Sequence, residues 1–238
     1  MIESTRPTRL FCFLSGLSGV AGVIMLIVSF TINTGPPLGA PPAEFAKYVS
    51  ESYASILWGA WLQAIGPVFI VLFAFALVHL GRATNHLAGW MTFFGASVLM
   101  TVSLIEITFY ISALYASPSM MTPISFELIY SIQHLYFIVA APALFLPLGV
   151  VLLNCAVLPR VFGYLALLVG AGFGIVGMAS LLTLTLPAAV TSLGGVQAIW
   201  WLAAAIALIF RNRRAAQFAA KAKCSVNLRE DSSNMRWE

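Results

Sequence analysis

The chain has 238 residues, of which 61% are apolar and only 8% charged, with a mean hydropathy of +0.95. Soluble domains carry about 25% charged residues, so a water-soluble core is excluded and the long uncharged runs make this an all-α, polytopic membrane bundle. A β-barrel is excluded too, because the runs are continuously apolar and do not alternate with period two.

Six spans follow from the hydropathy pattern, at about 10–32, 54–80, 88–115, 125–153, 162–186 and 194–210. They form one transmembrane domain over 1–212, followed by a basic tail, 213–238. Turn chemistry separates them: Gly35-Pro36-Pro37 with Pro41-Pro42, Gly81 with Asn85, Ser117-Pro118 with Pro123, Pro159, and Pro187 with Gly194-Gly195. The first run follows Arg6 and Arg9, as a signal peptide would. It is too long for an h-region and no small-x-small cleavage site follows, so it reads as a retained span.

Positive charge orients the bundle. Arg6, Arg9, Arg82, Arg160 and the seven basic residues from Arg211 to Arg236 share one side of a six-span chain, leaving Lys47 alone of the 12 on the other. The positive-inside rule then puts both termini in the cytoplasm. Cys12, Cys155 and Cys224 fall on that side, where thiols stay reduced, and their spacing matches no metal or redox motif.

The external segment 33–53 opens Pro-rich and then sets Phe45, Tyr48 and Val49 on one helical face, with Glu44, Lys47 and Glu51 elsewhere. This predicts a short interfacial helix leading into span 2, or a lid over an external vestibule. Trp58 and Trp61 in span 2 and Trp200 and Trp201 in span 6, near the outer end, read as an aromatic belt. The tail after span 6, rich in Arg and Lys, suits anionic lipid head groups, and the net charge of +4 needs no nucleic acid to explain it.

Small residues recur at helical spacing in span 1 (Ser15, Gly19, Val23, with Ser18 and Gly22) and span 5 (Gly170, Gly172, Gly174, Gly177). Such stripes let helices approach closely within the bundle, and they would also suit contact with a second copy of the chain. Pro67 in span 2 and Pro142 and Pro147 in span 4 each remove a helical hydrogen bond, which predicts kinks and makes span 4 the most bent. Leu87-Ala88-Gly89-Trp90 before Gly95-Ala96 echoes Val161-Phe162-Gly163-Tyr164 before Gly170-Ala171, a pattern that duplicated hairpins or shared span-end chemistry would produce.

One carboxylate, Glu106, lies inside an apolar run, where a charge costs roughly 2–4 kcal/mol even on lenient insertion scales. Counting from the outer span ends puts it about nine residues deep, or roughly 13 Å at about 1.5 Å per residue. Gln63 of span 2 and Gln133 and His134 of span 4 reach the same layer. Ser103, Glu106 and Tyr110 share a helical face, Glu127, Tyr130 or Ser131, and His134 share another, and Ser55, Gly59 and Gln63 form a third. The expectation is an outer-facing polar pocket for a small ligand or partner, lined by Gln63, Glu106, Tyr110, Gln133 and His134, with Glu127 and Tyr130 at its mouth.

Three alternatives stand beside it: a structural Glu106–His134 pair that locks the bundle, a proton-linked transporter using Glu106, and a metal-assisted intramembrane enzyme. Glu106 and His134 are the candidate metal ligands, but the HExxH, CxxC or multi-His spacing of a strong site is absent. No lysine lies in a span for a retinal Schiff base, and His134 has no second histidine at its depth for haem. Nucleophile, P-loop and dinucleotide motifs are missing, as are the serial arginines of a voltage sensor. The expectation is therefore a protein without a cofactor, and a non-enzymatic one.

Leu158-Pro159-Arg160-Val161-Phe162-Gly163-Tyr164-Leu165 resembles a hairpin that recurs in small bacterial integral membrane proteins of unknown function. Size and six-span layout over about 10–212 are similar as well. The resemblance implies the fold and a bacterial inner-membrane location, and carries no catalytic residue.

Overall fold

The computed structural model describes residues 5–33, 41–115, 121–183 and 192–210. Among them the chain is all-helical, with six helices long and apolar enough to cross a membrane. These are α1 (Thr5–Ile32), α2 (Pro42–Leu80), α3 (Leu87–Tyr115), a fourth span made of α4 (Met121–Leu135) and α5 (Ala141–Asn154), α6 (Arg160–Thr183) and α7 (Ser192–Phe210). The Gly35–Pro37 turn, the last residues of the fifth expected span, Cys224 and the basic tail lie outside the described residues. The bundle has a basic end, where Arg82 sits in the α2–α3 turn and Arg160 opens α6, and an opposite end.

The turn between α2 and α3 shows how the chain reverses. Gly81 closes α2, Arg82 takes a positive φ of 53°, and Ala83 N–H donates to the Val78 carbonyl at 3.0 Å. This six-to-one closure satisfies carbonyls left over at the helix end, and it places an arginine in a conformation that favours glycine.

Segment 42–51 is helical, as expected, and forms the first part of α2, joined to the rest across a break at Ser52 (φ −110°, ψ 16°). The break stands at Ser52 and not at Pro67, which lies inside α2. Tyr48 and Val49 turn in against the Ile56, Tyr110 and Phe126 cluster at the end opposite the arginines.

Close approach holds the helices together where the hydrophobic effect is weak. A Cβ on Gly22 would stand 2.8 Å from the Gly66 carbonyl oxygen, and one on Gly95 would collide with the Ala143 carbonyl. The span 1 stripe therefore packs α1 on α2, and Gly95 brings α3 onto α5. In the span 5 stripe, Gly177 meets the backbone of Phe137 and Ile138, while Gly172 and Gly174 are less tightly covered. Serine hydroxyls add cross-helix bonds: Ser18 donates to the Phe69 carbonyl and Ser29 to the Gly59 carbonyl, each at 2.8 Å.

The aromatic-belt expectation divides. Trp58 and Trp61 are exposed on α2, 60% and 49%, as a belt requires, but Trp200 and Trp201 are buried, 4% and 2%. They pack edge-on against Phe73 and Phe145, and the Trp200 indole N–H donates to the Phe162 carbonyl at 3.0 Å. Both lie towards the basic end, where Trp200 meets Phe162 two residues past Arg160, so they sit neither at the outer end nor on the lipid face; they are core.

The fourth span is where the helix departs most from regularity. Pro142 has no N–H to return to the Ile138 carbonyl four residues back. The chain instead widens over Tyr136–Ala140 into a π-turn, and Ala141 N–H bonds to the Tyr136 carbonyl five residues back. A turn of this kind holds one residue more than an α-turn.

Candidate functional site

Glu106 lies on α3, 7% exposed, with Ser103 and Tyr110 on the same buried face, both 6% exposed. The Gln133 amide of α4 donates to Glu106 Oε1 at 3.0 Å. Gln63 of α2, 4% exposed, is the second amide side chain beside the carboxyl group. Ser103 donates to the backbone carbonyl of Gln63 at 3.0 Å, fixing α2 against α3 one turn away. Three helices therefore bracket one carboxyl group with two amides. No lysine or arginine occurs in 83–159 to offer a counter-charge.

His134 does not take the place expected of it. Its Nδ1–H donates within α4 to the Tyr130 carbonyl at 2.9 Å, leaving Nε2 buried and without a hydrogen-bond partner. The expected Glu106–His134 pair is thus a Glu106–Gln133 pair. Neighbouring residues on a helix point about 100° apart, so only one of the two can face α3.

Two residues join the site that depth counting missed. Tyr136, in the π-turn, lies within electrostatic range of Glu106 and donates its hydroxyl to Gln197 Oε1 of α7 at 2.7 Å. Gln197 interrupts an otherwise apolar run over 193–210, a signal that the sequence did offer. On the other side Tyr110 neighbours Glu106, Tyr48 and Tyr130. Tyr48 donates to Asn33 Oδ1 at 3.0 Å, and its ring meets Phe126 edge-on. Polar groups therefore run from Asn33, just past the end of α1, by way of Tyr48, Tyr110 and Glu106, towards Tyr136 and Gln197.

Of the two mouth residues, Glu127 is exposed and Tyr130 half-buried. The carboxyl group itself is closed off from both ends in this conformation, as the burial of Gln63, Glu106 and Tyr110 requires. A recess of about 460 Å³ opens elsewhere, at the α5–α6 turn, lined by Asn154, Cys155, Pro159 and Arg160 among others. It lies roughly 30 Å along the fourth span from Gln133, at about 1.5 Å per residue.

Among the described residues no three His, Cys, Asp or Glu side chains gather as a metal site would need. Glu106 and His134 as a ligand pair thus lack a third donor of that kind. Comparison of the chain with protein-family models, with curated proteins and with solved structures found no match. The functional reading rests on the geometry.

Proposed function

We propose that the protein is a multi-pass bacterial inner-membrane protein that binds a small cationic or hydrogen-bond-donating ligand at the Gln63–Glu106–Gln133 group. Both termini are cytoplasmic in this reading, so the group is reached from the outer side. The observation that carries it is the bracketing of one buried carboxyl group by amides from two other helices, with no lysine or arginine in the layer. A buried carboxyl is expensive in lipid and is retained where it meets a partner. Amides can turn to accept or donate, so a ligand's ammonium or hydroxyl group can take over a bond that Gln133 now makes.

The orientation is supported by Arg82, which keeps a charge where glycine would suit the backbone better. Positive charge in a short inter-span turn is what holds that turn in the cytoplasm. A second reading, a small transporter, is favoured by one observation: the π-turn that begins three residues after Gln133 gives the fourth span a built-in point of adjustment.

The test is ligand-induced thermal stabilisation of the full-length protein in lipid, across a panel of small amines and polyols. Stabilisation of the parent by at least one compound, absent in Glu106→Gln at equal basal stability, is the expected result. A panel without effect on the parent, or with equal effect on the variant, would leave Glu106 as a structural element only.

A further inference from the structure

We propose that the π-turn Tyr136–Ala140 is a register switch that exchanges Gln133 for His134 against Glu106. The exchange is a matter of backbone geometry and stands whatever the site binds.

The π-turn contains one residue more than the α-turn it replaces, so every residue before it occupies the place that its successor would hold in an unbroken α-helix. If the wide turn migrates towards the start of α4, the segment it passes advances by one residue, a rotation of about 100°. The place now held by Gln133 then belongs to His134. Three observations fit this. The π-turn follows directly on α4, whose last residue is Leu135. His134 Nε2 is buried without a partner in the present register. Its ring nitrogen pattern is also already set, because Nδ1–H is bonded to Tyr130 and Nε2 is left free to meet a carboxyl group.

Pro142 sets the boundary of the movement. It cannot donate to Ile138, so a wide or open turn is tolerated just before it, and α5 is held by its packing on α3 and α6. Tyr136 is the latch. Its hydroxyl bond to Gln197 and its edge-on contacts with Phe137 and Phe173 hold the first residue of the π-turn against α7 and α6. In the other register Phe137, which has no hydroxyl, would stand close to that place.

Trapping by disulfide formation reads the register. In full-length protein with Cys12→Ser, Cys155→Ser and Cys224→Ser, Glu106→Cys is paired with Gln133→Cys, His134→Cys or Ile132→Cys and treated in membranes with a lipid-soluble oxidant. The Gln133 and His134 pairs both cross-link above the Ile132 pair, and Tyr136→Phe raises the His134 pair. Deleting Val139, which is 43% exposed, removes the additional residue, so the Gln133 pair remains and the His134 pair is lost. The inference is overturned if the His134 pair stays at the level of the Ile132 pair both with and without Tyr136→Phe. It is overturned equally if the His134 pair survives deletion of Val139. The Tyr136→Phe arm keeps the chain length and decides the matter where the deletion does not fold.

Discussion

The Gln133 side chain and the Glu106 carboxyl group meet at 3.0 Å across the α3–α4 interface, in spans that hold no lysine or arginine. Each is the other's means of being buried. Replacing Gln133 with Leu leaves the carboxyl group with one amide fewer and should cost about 1–3 kcal/mol, the usual penalty for orphaning a buried polar group. Thermal unfolding in lipid measures it. In a double-mutant cycle with Glu106→Leu, the pair should show a coupling of about 0.5–3 kcal/mol, and additive losses would mean the contact is idle.

Gly95 makes the tightest helix contact that touches the site's scaffold. A methyl group there would strike the Ala143 carbonyl, part of a backbone that cannot swing aside as a side chain can. Gly95→Ala should therefore destabilise by about 1–3 kcal/mol or more, the range for overpacking. Gly172→Ala, whose Cβ would meet only Leu193 side-chain atoms, should stay close to the parent. Melting temperatures of the two variants, compared side by side, check the contrast.

Trp200 and Trp58 should respond unequally to the same change. Trp200→Phe removes the indole N–H that the Phe162 carbonyl accepts, at about 0.5–1.5 kcal/mol for the bond, with further loss from packing. Trp58 is exposed on α2, so Trp58→Phe should leave stability almost unchanged. Equal effects at the two positions would return Trp200 to the membrane-facing belt.

Arg82 pits backbone strain against orientation. With φ at 53°, Arg82→Gly relieves a left-handed conformation worth about 1 kcal/mol and should raise the melting temperature. The same change removes a positive charge from a short turn, so a reporter fused after Glu238 should read as cytoplasmic in the parent and less uniformly so in the variant. A stabilised variant with unaltered reporter signal would mean that the arginines elsewhere suffice.

The sequence made the six spans and the polar layer legible because hydropathy and depth are linear quantities. Glu106, Gln63 and Gln133 could be placed at one level by counting residues from span ends. What counting could not supply is rotation. Gln133 and His134 differ by one residue in depth and about 100° in direction. The phase of α4 depends on the π-turn, whose additional residue a regular helical count leaves out. Trp200 and Trp201 depart from a belt in both respects, lying towards the basic end and facing the core. Tyr136 and Gln197 were missed because their bond joins two spans far apart in sequence. Pro142, which gives the π-turn its cause, was visible, and the kink it suggested is here a change of helix type.

The central claim is that Glu106 serves a ligand rather than only the fold. Glu106→Gln tests it most directly, since it keeps the shape and the hydrogen-bonding reach of the side chain and removes its capacity for charge. The measurement is the thermal stability of parent and variant in lipid, with and without each compound of the amine and polyol panel. The account predicts nearly equal melting temperatures without ligand and a stabilisation that only the parent shows. A variant that melts well below the parent, with no compound shifting either, would contradict it and make the Gln63–Glu106–Gln133 group a structural clasp.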